Sequence, residues 1–137
     1  MSDDAAPPPS IDWDLKKFEY DQVKTLFDYT KFHIGLYLTL GGALVAAIGA
    51  KTPVVFDAPT MWIAVILIGI AGMAGGIVAS SLPEAPTLDG FFQNFTGPWG
   101  LQLLKGKWWT HLEHTAFWAG IITAGIAVGY PKGLHFF

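Results

Sequence analysis

From Thr60 to Ser81 the chain reads TMWIAVILIGIAGMAGGIVASS, an apolar run without a charged residue. At a rise of about 1.5 Å per residue, a helix of this length matches the ~30 Å hydrocarbon core of a bilayer. Two further runs are largely apolar, Phe32–Ala50 and Leu112–Tyr130, the second with a single charged residue, Glu113, at its start. The pattern predicts an all-α integral membrane protein with three transmembrane helices, over residues 32–51, 60–81 and 111–130.

The segment before the first span has a different pattern. Lys17, Asp21, Lys24, Asp28 and Lys31 recur at steps of four and three, which places alternating charges along one helical stripe. The other side carries Leu15, Phe18, Tyr20, Val23, Leu26, Phe27 and Tyr29, and that side needs a cover. A partner helix, a second copy of the chain or the membrane interface could supply it. Residues 11–31 are therefore expected to form an amphipathic helix. No breaker separates it from the first span, so the two should run as one helix of roughly 60 Å. Residues 1–10, with three consecutive prolines, read as a disordered leader. Lys51, Pro53 and Pro59 bracket a turn, and residues 131–137 read as an interfacial tail.

The connection from 82 to 110 is rich in aromatic residues, among them Phe91, Phe92, Phe95, Trp99, Trp108 and Trp109. Gly97-Pro98 divides it. Each piece is expected to lie as a short amphipathic helix among lipid headgroups, with Lys105, Lys107, Trp108 and Trp109 as interface anchors. The alternative is a re-entrant segment folded into the assembly.

Small residues recur at four-residue spacing on every span, and such lines let helix backbones approach closely. They are Gly42, Ala46 and Ala50 on the first; Gly72, Gly76 and Ser80, beside Ala71, Gly75 and Ala79, on the second; and Ala116, Gly120 and Ala124 on the third. This is more small surface than one three-helix contact needs. It implies a homo-oligomer or packing against other membrane subunits.

Composition narrows the function. Only 14% of residues are charged and mean hydropathy is +0.41, whereas a soluble domain is about one quarter charged. The chain has no cysteine, which removes disulfide and thiolate chemistry. All eight basic residues are lysines, so there is no bidentate guanidinium clamp. A net charge of −3 without a basic patch argues against nucleic acid. With three spans, Lys16, Lys17, Lys24, Lys31, Lys105 and Lys107 fall on one side and Lys51 and Lys132 on the other. The excess puts the N-terminus in the cytoplasm and the C-terminus across the membrane.

Candidate chemistry is confined to the cytoplasmic ends of the spans. His111 and His114 are three residues apart, a spacing that could serve a metal or haem. His33 should lie at a similar depth, and Glu113 is expected to face another subunit or water. The same set could titrate as a pH-sensitive group or proton relay; the plain alternative is interfacial side chains reaching for water. The middles of the spans hold no Asp, Glu, Lys or Arg, unlike ion-coupled transporters and pumps. No nucleophile–base set or phosphate loop can be assembled. The sequence thus reads as a non-catalytic accessory subunit or self-assembling oligomer, with lipids as its expected small-molecule contacts. The alternatives are an oligomeric channel or membrane-disrupting effector, and a haem- or metal-binding membrane anchor.

Overall fold

The computed structural model describes residues 11–50 and 56–129. The leader, most of the first turn and the C-terminal tail lie outside the described residues. About 87% of the described residues are helical.

Helix α1 runs unbroken over Ile11–Gly49, a stretch that contains no proline. Helix α2 spans Ala58–Ser81. Its start is fixed by Asp57, whose carboxylate accepts from the Thr60 amide at 3.0 Å, and by Pro59 in the first turn, where no amide donor is needed. Pro83 ends it, and Leu82–Glu84 tighten into a 3-10 turn. Helix α4 covers Gly106–Gly129.

α2 is the middle helix and packs against both α1 and α4. Against α1 the register sets Gly72 by Tyr37, Gly75 by Ile34 and Gly41 by Ile68. Against α4 it sets Gly75 by Glu113 and Gly120 by Ile68 and Ala64. The Asp57 amide closes that end of the bundle by donating to the Ala127 carbonyl at 3.0 Å. One core cluster holds Tyr37, Ile68, Ala71 and Ala116. A second holds Ala74, Ile77, Val78, Leu82, Phe91 and Trp109, with Val23, Leu26 and Phe27 of α1 packed onto it.

The small-residue lines divide. Ala71, Gly75, Ala116 and Gly120 are buried in helix contacts. Gly42, Ala46, Ala50 and Ser80 are exposed, and open space lies in front of Gly42 and Gly76. Those positions do not pack within the chain, because the helix face that meets a neighbour lies one step round from them. Gly72 sits in ordinary contact with the Tyr37 Cβ at 3.8 Å, and Ala79 and Ala124 are half-buried.

The 82–110 connection departs from the expected pair of helices. Its first piece does contain a helix, α3 over Leu88–Gln93, capped by the Thr87 hydroxyl on the Gly90 amide at 3.0 Å. Around Gly97-Pro98 the two pieces join in a ribbon. Strand β1 (Phe95–Thr96) pairs antiparallel with β2 (Leu104–Lys105), and the chain reverses through Pro98–Gly100. Trp99 (φ 54°) and Gly100 (φ 78°) both take left-handed backbone there. A Cβ on Gly97 would lie 2.4 Å from the Leu101 carbonyl oxygen, so only glycine closes the loop this tightly. α4 consequently begins at Gly106, over a turn before the expected 111.

Two helices among the described residues are long and apolar enough to cross a membrane, within Trp13–Gly49 and Ala58–Glu84. α4 is as long as α2, but Lys107, His111, Glu113 and His114 dilute its first half.

Candidate functional site

The polar residues of the bundle converge at one level. On α4, Trp109, Glu113, Ala116 and Gly120 step by four, three and four, which puts all of them on the stripe facing α2. Glu113 is therefore an inward residue, only 1% exposed, and does not face water or a neighbouring chain as its flanking histidines suggested. The Tyr37 hydroxyl of α1 donates to its Oε1 at 2.9 Å. A Cβ on Gly75 would come within 3.3 Å of that oxygen and of Ile34, so the glycine leaves the carboxylate its room.

Tyr29, His33 and Tyr37 follow one another at single-turn spacing on α1. The His33 Nδ1 donates to the Tyr29 carbonyl at 3.0 Å, and the His114 Nδ1 donates to the Thr110 carbonyl at 2.9 Å. A carbonyl only accepts, so in each ring Nδ1 carries the hydrogen and Nε2 keeps its lone pair when neutral. The two imidazole centroids are 6.1 Å apart. Tyr29 lies 3.9 Å from the His33 ring and stacks on His114 at 6.3 Å. Both imidazoles act electrostatically on the Glu113 carboxylate.

Of the four residues expected to gather here, the structure brings together His33, His114 and Glu113. His111 turns outward against Trp108, with ring centroids 5.9 Å apart, because it is two residues from the buried Glu113, about 200° round the helix and so on the exposed side of α4. Among the described residues no group of three or more His, Asp or Glu has the geometry to hold a metal. Sequence reasoning missed Tyr29 and Tyr37. The signal was the four-residue spacing of each from His33.

The expected anchors also divide. Lys105 and Lys107 extend over the Phe95 and Trp108 rings, 5.8 Å from each centroid, and Trp108 is exposed. Trp109 is 6% exposed and donates its indole hydrogen to the Thr96 carbonyl at 2.9 Å, so it is a core residue that fixes the ribbon to α4. Trp99, at the tip of the reversal, is 95% exposed.

Other polar side chains are engaged locally. The hydroxyls of Thr30, Thr39 and Thr123 each donate to the carbonyl one turn back. Asp57 titrates below the usual carboxylate range, because first the Thr60 hydroxyl and then its amide hydrogen-bond the ionised form.

Comparison with protein-family models, with curated proteins and with solved structures gave no significant match.

Proposed function

We propose that this chain is a small, non-catalytic, multi-pass membrane subunit that assembles with copies of itself or with other membrane proteins. The observation that carries the reading is the outer surface of the bundle. Phe32, Leu38 and Val45 on α1, Trp62, Ile63, Ile66 and Met73 on α2, and Trp118, Ile122 and Val128 on α4 are all exposed. An apolar belt on all three long helices suits lipid and not water. α4 is accordingly assigned as the third span, and its polar first half lies where the aromatic connection meets the headgroups.

Assembly is supported by the small positions left over after the chain has packed. Gly42, Ala46 and Gly76 face outward with exposed or open surroundings, a surface on which another helix can lie close. The first turns of α1, before its contact with α2 begins at Val23, leave Trp13, Leu15, Phe18 and Tyr20 exposed, and a partner chain would cover them. Lipids are the expected small-molecule contacts.

The test is the native mass of the protein purified in mild detergent with its co-purifying chains. A discrete homo-oligomer or a stoichiometric partner is expected. A lone monomer with nothing attached would overturn the reading.

A further inference from the structure

We propose that Glu113 is a proton-binding site, loaded from the Gly106 end of the bundle through His33 and His114. The starting point is charge. A carboxylate enclosed by three helices is costly unless something neutralises it. The titratable groups facing Glu113 are His114 on its own helix and His33 and Tyr37 on α1, with Tyr29 behind them. α2 presents Gly75, with Ala71 and Val78 a turn to either side, and offers no titratable group. His111 faces outward on Trp108. No lysine is among these neighbours, so neutralisation comes from a proton, on an imidazole or on the carboxyl itself.

The geometry provides the route. Both imidazoles are half-buried, so each is reached from outside the core, and each holds its Nδ1–H on a backbone carbonyl. The Nε2 lone pair is left to take a proton from water and release it inward. Because the Tyr37 hydroxyl donates to Oε1, the incoming proton forms its O–H bond on Oε2. Neither imidazole hydrogen-bonds the carboxylate directly, so a water passes the proton on: it takes the Nε2 hydrogen as it gives one of its own to Oε2, and discharge is the reverse. Beyond Glu113 the α2–α4 contact continues through Ala116, Gly120, Ala64 and Ile68, which cannot carry a proton. The site is therefore a terminus and not part of a through-conduit. Its occupancy sets how firmly α1 is held. The Tyr37 hydrogen bond is charge-assisted when the carboxylate is empty and an ordinary neutral one when it is loaded.

Infrared difference spectra of the purified protein in lipid vesicles, taken across a pH series, test this through the carboxylic-acid C=O stretch. A band that grows on acidification is expected. Glu113→Gln should abolish it, and Tyr37→Phe, which keeps the carboxyl, should shift its frequency. The double variant His33→Gln/His114→Gln should keep the band but slow its hydrogen–deuterium exchange about a hundredfold. A band that is absent or constant at every pH overturns the proposal. A spectrum unmoved by Tyr37→Phe overturns it even where the Gln variant fails to fold. Exchange unaffected by loss of both histidines overturns the route.

Discussion

Gly120 and Gly76 carry the same spacing signature, but only Gly120 is under pressure. A Cβ on Gly120 would lie 2.8 Å from the Ile68 Cγ1 and 3.3 Å from the Ala64 carbonyl oxygen, whereas nothing lies within 4 Å of one on Gly76. The first contact involves backbone as well as side chain, so the helices must move apart to admit even a methyl group. Gly120→Ala should destabilise the protein by about 1–3 kcal/mol through overpacking. Gly76→Ala should be neutral or gain up to about 1 kcal/mol from helix propensity. Equilibrium unfolding in detergent micelles measures both, and equal losses at the two sites would refute the assigned register. The sequence could not choose between the two lines on α2, because neighbouring lines of small residues on one helix look alike until a partner is placed. Glu113 was more legible. Extending the Ala116 and Gly120 line back by one turn reaches it, and that step would have shown it facing inward.

At the level of elements, α2 owes its start to one side chain. The Asp57 carboxylate receives both the hydroxyl and the amide of Thr60. Its native titration point lies below the unfolded one, so its contribution is present above the unfolded value and is lost as pH falls through the native value. Asp57→Ala should lower the Tm at neutral pH, and the gap from the parent protein should close on acidification. A gap of constant size would mean that the cap does not act through its charge. The 82–110 connection teaches a different lesson about legibility. Its aromatic content read as two helices at the interface, and α3 answers to the first of them. The ribbon was hidden because the pairing of Phe95 with Lys105 joins distant residues, and two-residue strands leave no period to detect. Trp109 makes the arrangement testable. Its ring sits in the core with Leu82 and Phe91 while its indole hydrogen holds the Thr96 carbonyl. Trp109→Ala should cost about 3–5 kcal/mol, and Trp108→Ala, on the exposed side, about 0.5 kcal/mol or less.

The whole molecule has two unlike ends. One joins α2 to α4 through the Asp57 amide and the Ala127 carbonyl. The other is built from the ribbon, α3 and the middle of α1, where Val23, Leu26 and Phe27 close over Leu82 and Phe91. Glu113 lies about 21 Å along α4 from Ala127, less than the ~30 Å hydrocarbon thickness. In a bilayer the carboxylate would thus sit inside the apolar layer, nearer the ribbon end. The proposed orientation sets that end, with six of the eight lysines, in the cytoplasm. The absence of native cysteine makes this directly measurable, because any introduced thiol is the sole target of a maleimide. A membrane-impermeant maleimide should label Gln22→Cys and Gln102→Cys only in inside-out vesicles, and Asp57→Cys only in right-side-out ones. Labelling of positions 22 and 57 from the same side would remove α1 as a span. Labelling of 22 and 102 from opposite sides would break the pairing of α1 with the connection on which the buried site depends.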